Sequence, residues 1–186
     1  SIGAIRVQQD ETFVQIAELF HNDVDYFESF NEPDDWHGSD RNWVHPDWFA
    51  LMLQEVHTKV RTHPTPAVRG IRLISGPLQG LHNDDHNNNG NAGARYLRAT
   101  YRAGKRFFAW GQNGVPFPFD GVGYHLYVAQ SAANSSDDLR RVYRHYRDEV
   151  LQVVREEEGQ EKLIYLSEFG WQDSVVGEQR QAEWLN

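Results

Sequence analysis

Apolar residues along the chain follow two different periods, which alternate over most of its length. Short apolar runs typical of strands are followed by longer segments in which apolar residues recur every three or four positions, as on one face of a helix. This alternation is the α/β pattern, in which helices cover a mainly parallel sheet. We therefore predict one α/β domain over residues 1–186.

Four runs have the composition of buried strands, and they occupy residues 24–30, 71–75, 119–128 and 162–168. Helices are predicted from about residue 10 to 21, from 47 to the prolines at 64 and 66, and from 94 to a stop at Gly104. A long helix should follow Ser136, and the last should occupy about 178–185. The Asn- and Asp-rich stretch 82–93 is predicted to be an exposed loop.

Composition excludes several functions before any motif is considered. The net charge of -9 and the lack of a Lys/Arg cluster disfavour nucleic-acid binding. The sequence contains no cysteine, so disulfides and thiolate chemistry are excluded. No apolar run approaches 18 residues, so neither a membrane span nor a signal peptide is visible, although a signal peptide could have been removed. Localisation therefore stays open, with secretion of a parent protein as one interpretation, and the oligomeric state is unknown.

Two of the predicted strands finish on a glutamate, Glu32 after the first and Glu168 after the fourth. In a parallel sheet covered by helices, ligands bind at the carboxyl ends of the strands. Glycoside hydrolysis needs two carboxyl groups on rigid supports, one to protonate the leaving oxygen and one to attack or stabilise the anomeric centre. A single such glutamate is usually a solvated surface side chain, but a pair of them indicates catalysis.

The segments around these glutamates resemble a known group of enzymes. Residues 27–33 (FESFNEP) and 165–171 (YLSEFGW) are similar to the fourth and seventh strand ends of clan A glycoside hydrolases, which are retaining (β/α)8 TIM barrels. The resemblance implies that Glu32 is the general acid/base, Asn31 a donor to the sugar 2-hydroxyl, and Glu168 the nucleophile. His125 and Tyr127 resemble the His-x-Tyr of the sixth strand.

The resemblance also implies a partial barrel, about strands 4 to 7 with their helices. Strands one to three and strand eight would then be missing, together with the residues that they contribute, and the chain alone could be inactive. Strand alternation places His125 and Tyr127 on one face, so Tyr127 is expected to hydrogen-bond Glu168. His125 is expected to position polar groups rather than transfer protons.

Weaker predictions concern aromatic residues and a possible metal site. Trp36 and Trp171 follow the two glutamates and could stack on sugar rings or simply cover the barrel rim. The only cluster of metal-ligand types in the sequence is His82, Asp84, Asp85 and His86. The Asn-rich surroundings argue against a helix that would put both histidines on one face, so we predict a solvated loop and no metal.

The combined interpretation is a retaining O-glycoside hydrolase acting on a poly- or oligosaccharide by double displacement, with no cofactor. The partner is a carbohydrate substrate, with neither nucleic acid nor membrane. A non-catalytic carbohydrate-binding barrel and a structural α/β domain are the alternatives. The substrate sugar, its linkage and the family within the clan cannot be read from these residues.

Overall fold

The computed structural model describes residues 2–34, 43–79, 92–127, 136–170 and 177–185. The elements in these ranges are, in chain order, α1 (Ile2–Phe20), β1 (Tyr26–Glu28), α2 (Pro46–Arg61), α3 (Pro66–Gly70), β2 (Arg72–Ile74), α4 (Ala92–Phe108), β3 (Gly121–Tyr127), α5 (Ser136–Glu158), β4 (Leu163–Gly170) and α6 (Glu178–Leu185). Within the described ranges, none of the helices combines the length and the apolar character that a membrane crossing requires.

The four strands form one sheet in the order β1-β2-β3-β4, and each pairs with its neighbour in parallel. Consecutive parallel strands must be joined by crossovers, and helices of the chain lie between every pair. This is the arrangement of a partial (β/α) barrel, so the predicted fold class is confirmed. Because all strands run the same way, their carboxyl ends share one edge of the sheet.

The sheet curls so that its first and last strands approach each other over the concave face. In a flat sheet β1 and β4 would lie about 14 Å apart, three strand spacings of roughly 4.8 Å. The rings of Tyr26 on β1 and Tyr165 on β4 nevertheless have centroids only 5.0 Å apart. Gly121 of β3 lies beneath this contact, and a Cβ there would come within 2.4 Å of the Tyr165 ring. The absence of a side chain at Gly121 therefore makes room for the contact.

The convex face of the sheet packs against helices and carries the main core. Its largest fully buried side chains belong to α2, α4, the segment after α4, and β3, and include Phe49, Leu97, Tyr101, Trp110 and Tyr124. A second cluster joins α1, α2, α3 and β2 through Ala17, Val56, Val60, Val68, Ile71 and Leu73. These contacts hold the strands in place, and the side chains of the concave face project from those strands.

Several predicted boundaries need correction. Helix α1 begins at Ile2 and not near Asp10, because an Asp-Glu pair can lie inside a helix as well as at its start. The first two strands keep only three residues each, whereas β4 continues past Glu168 to Gly170. The Pro64–Pro66 region, predicted to break a helix, also starts the short α3, in which Pro66 occupies the first turn. Residues 80–91, with most of the predicted loop, lie outside the described residues.

The prediction that Gly104 stops its helix is wrong. Helix α4 continues to Phe108, and Gly104 lies inside it against the indole ring of Trp110. A Cβ at Gly104 would lie 1.9 Å from Trp110 Cε3, which no packed structure allows. The glycine is therefore a packing requirement of the buried Trp110, whose indole nitrogen also donates to Gln54 at 2.7 Å.

We expect Gly104→Ala to destabilise the protein by about 1–3 kcal/mol or more through overpacking, although alanine is the better helix former. Gly70→Ala is the matched control, because a Cβ at Gly70 meets nothing within 4 Å. That variant should be neutral or gain up to about 1 kcal/mol. Urea unfolding of both variants measures the difference, and equal stabilities would contradict the packing role of Gly104.

Candidate functional site

Glu32 lies in the segment that follows β1, at the carboxyl edge of the sheet, with 12% of its side chain exposed. Two hydrogen bonds hold this segment in place. The Val44 amide donates to the Pro33 carbonyl at 2.8 Å, and the Gln79 amide donates to the Asp34 carboxylate at 2.9 Å. Glu32 itself has a φ of 46°, in the left-handed region that costs a non-glycine residue free energy. Such a conformation persists only where the surrounding contacts enforce it.

A β-bulge determines where Glu168 points. The pairing of β3 with β4 is regular up to Tyr124 and Leu166, but His125 then pairs with Glu168, so Ser167 is an extra residue on β4. Successive residues of a regular strand face opposite sides. The bulge cancels that alternation once and brings Glu168 to the face that carries His125.

His125 is the buried centre of the site, with 1% of its side chain exposed. Its Nδ1 lies 2.6 Å from Glu32 Oε1 and 3.6 Å from Glu168 Oε2. The backbone amide of His125 donates to the Leu78 carbonyl at 2.9 Å, which anchors the end of β3 against the chain that follows β2. The short contact holds the Glu32 carboxyl group against the buried imidazole ring.

Three side chains thus converge at the carboxyl edge. One nitrogen of His125 and one oxygen from each of Glu32 and Glu168 all lie within 4.8 Å of one another. Imidazole and carboxylate are also ligands that a divalent cation accepts, so the same three atoms could hold a metal. Exposed acidic groups commonly cluster without one, and the predicted absence of a metal stays a prediction.

A third carboxyl group at the site was missed by the sequence analysis. Glu28, on the concave face of β1, accepts a hydrogen bond of 2.8 Å from Ser167 Oγ. Burial raises the pKa of Glu28, and the charge of Glu168 raises it further, whereas the Ser167 hydrogen bond and His125 lower it. The available signal was a charged residue within an otherwise apolar strand.

The remaining predicted residues are less fully described. Asn31 precedes Glu32 and is exposed. The backbone of Tyr127 ends β3, but its side chain lies outside what the structure describes, so the Tyr127–Glu168 hydrogen bond stays a prediction. Trp36 and Trp171 lie outside the described residues. So do the potential metal ligands His82, Asp84, Asp85 and His86.

No protein-family model and no curated protein matches the sequence. Among solved structures, the chain is similar to AbfB, a family 51 alpha-L-arabinofuranosidase from Bifidobacterium longum, with 15% identity and a TM-score of 0.48. That match covers 80% of this chain and 27% of the other. It is also similar to a GH5-4 broad specificity endoglucanase from Ruminococcus flavefaciens, with 15% identity and a TM-score of 0.45. The second match covers 96% of this chain and 59% of the other, so the chain spans only part of either protein.

We expect Glu32→Gly to be more stable than Glu32→Ala by about 1 kcal/mol. Both variants lose the same contact with His125, but only glycine accepts a positive φ without strain. Glu55, inside α2, provides the control, because there Gly should be less stable than Ala by about 1 kcal/mol. Urea unfolding of the four variants measures both differences. If the Gly variant is less stable than the Ala variant at both positions, the result would contradict a strained backbone at Glu32.

Proposed function

We propose that this chain carries the catalytic carboxyl pair of a retaining O-glycoside hydrolase, with Glu32 as general acid/base and Glu168 as nucleophile. The observation that supports this most strongly is the approach of the two carboxylates across a concave sheet, where one oxygen of each lies within 4.8 Å of the other. Retaining enzymes hold their carboxyl groups about 5–5.5 Å apart, whereas inverting enzymes need about 6.5–9.5 Å to admit a water molecule. An oxygen pair this close is compatible with the shorter of these carboxyl separations, and so with direct attack by Glu168.

The proposed reaction has two displacements. In the first, a carboxylate oxygen of Glu168 attacks the anomeric carbon, and the bond to the leaving oxygen breaks as Glu32 donates its proton to that oxygen. In the second, Glu32 removes a proton from water, the water oxygen attacks the anomeric carbon, and the Glu168–carbon bond breaks. The sum is hydrolysis, and both glutamates return to their initial states without a cofactor.

The exposure of the pair suits these roles. Glu32 is largely buried against His125, whereas 49% of the Glu168 side chain is exposed on the concave face, where a substrate can approach. His125 positions Glu32 through the 2.6 Å contact. In the same proposal Asn31 binds the 2-hydroxyl of the sugar, Tyr127 holds the attacking oxygen of Glu168, and Trp36 and Trp171 stack on sugar rings. The substrate is a poly- or oligosaccharide.

Replacing the two glutamates should separate their roles in the full-length protein. Glu168→Ala should lower kcat by several orders of magnitude on every substrate, because no other group forms the covalent intermediate. Glu32→Ala should lose activity on natural glycosides but largely retain the first displacement of aryl glycosides whose leaving group needs no proton. Initial rates and the burst of released aryl alcohol measure these effects on a panel of oligosaccharides and aryl glycosides.

The control variant is Glu161→Ala, because Glu161 lies before β4, at the end of the sheet opposite the site, and pairs with Arg155. Its rates should match those of the unmodified protein. Equal losses on activated and unactivated substrates would remove the acid role from Glu32. If the unmodified protein binds sugar without any turnover, the result would instead support a non-catalytic carbohydrate-binding barrel. If it shows neither binding nor turnover, the result would support a structural domain.

The stereochemistry of the product tests the nucleophilic role of Glu168 independently. Two successive displacements restore the original anomeric configuration, so the first-formed product should have the configuration of the substrate. Proton NMR during the first minutes of hydrolysis distinguishes the two anomers before mutarotation mixes them. An inverted first product would make Glu168 a general base and exclude a covalent intermediate on it.

A further inference from the structure

Glu28 and Ser167 connect the first and last strands of the sheet directly below the carboxyl pair. Ser167 Oγ donates to Glu28 Oε1 at 2.8 Å, although β2 and β3 lie between their strands. Ser167 is the bulge residue of β4, and Glu168 is its immediate neighbour. The hydrogen bond therefore holds the bulge residue, whose insertion into β4 sets the direction of the neighbouring Glu168 side chain.

The path of this contact passes over Gly123 on β3. A Cβ at Gly123 would lie 2.8 Å from Glu28 Oε1, and equally close to the backbone of Pro77 and Ser75. Real Cβ atoms essentially never come so near, so a side chain at this position would displace the Glu28 carboxylate. The glycine thus leaves the space in which Glu28 reaches β4.

From these contacts we propose that Glu28 is a positioning residue for Glu168. Its carboxylate accepts the Ser167 hydrogen bond across the concave face, and this bond holds the bulge in the form that points Glu168 towards His125 and Glu32. The inference rests on the proposed function for its catalytic consequence, but the geometric part concerns the orientation of Glu168 alone.

The role is positioning, because Glu28 holds Glu168 in place through the Ser167 hydrogen bond and the backbone of β4. Since a misplacement of about 1 Å can cost roughly 100-fold in rate, loosening the bulge should affect the chemical step far more than substrate binding. The loss of kcat should be equal for substrates with activated and unactivated leaving groups, because the misplaced group is the nucleophile Glu168 and not the acid Glu32. This distinguishes Glu28 from Glu32, whose replacement spares activated substrates.

The test compares Ser167→Ala, Glu28→Ala, the double variant and Glu28→Gln in the full-length protein. Each alanine variant should lower kcat by about 10- to 100-fold, with KM changed less than about threefold. The double variant should be no worse than either single one, because the two residues form one bond. Glu28→Gln should keep most of the activity, since its amide oxygen can still accept from Ser167. A kcat for Ser167→Ala within about twofold of the unmodified protein, or additive losses in the double variant, overturns the proposal.

A second measurement is independent of any activity. In a crystal structure of the Ser167→Ala variant, we expect Glu168 to move away from His125 by more than about 1 Å relative to the unmodified protein. An unchanged Glu168 position overturns the positioning role. If the unmodified protein turns over no glycoside, the proposed function fails, while this comparison still decides the role of Glu28. Glu161→Gln, at the other end of β4, is the matched control and should change neither rate nor structure.

Discussion

The candidate site depends on one packing requirement, which is that two positions of β3 carry no side chain. Neither Gly121 nor Gly123 could carry a Cβ, because Tyr165 occupies the space above the first and Glu28 that above the second. Because β3 has no side chain at these two positions, residues of β1 and β4 can meet over it, and the sheet can curl. The closeness of Glu32 to Glu168 is a consequence of that curl, since the two glutamates follow or belong to the outermost strands.

Local departures from regular structure then orient the groups that the curl brings together. Glu168 faces His125 because the bulge adds one residue to β4, and Glu32 approaches the same ring from a backbone with a positive φ. The positive φ of Glu32 costs free energy that an unconstrained chain would avoid. Other parts of the chain support both departures. The amides of Val44 and Gln79 hold Pro33 and Asp34, which directly follow Glu32, and Glu28 accepts the hydrogen bond of the bulge residue Ser167.

The opposite end of the sheet is organised for stability. Lys162, just before β4, donates to the Phe119 carbonyl at 2.6 Å, lies over the Phe119 ring and pairs with the buried carboxylate of Glu158. Burial lowers the pKa of Lys162, while the charge of Glu158 opposes that effect. Glu158 also accepts from the buried hydroxyl of Tyr101. The candidate site and this group of supporting contacts therefore lie at opposite ends of the same strands, the division that is usual in β/α barrels.

The sequence by itself determined the α/β class and the four parallel strands, because both depend on periodicity within short segments. It also singled out Glu32 and Glu168, although β1 ends before Glu32 and β4 continues past Glu168. It also placed His125 on the strand between them. It did not predict the function of Gly104, the cross-sheet partner of Glu28 or the bulge at Ser167. These features depend on contacts between separate segments, such as that of Glu28 with Ser167, 139 positions later in the sequence. Local propensity contains no information about such contacts, which exist only once the sheet has curled, so only the tertiary structure could decide them.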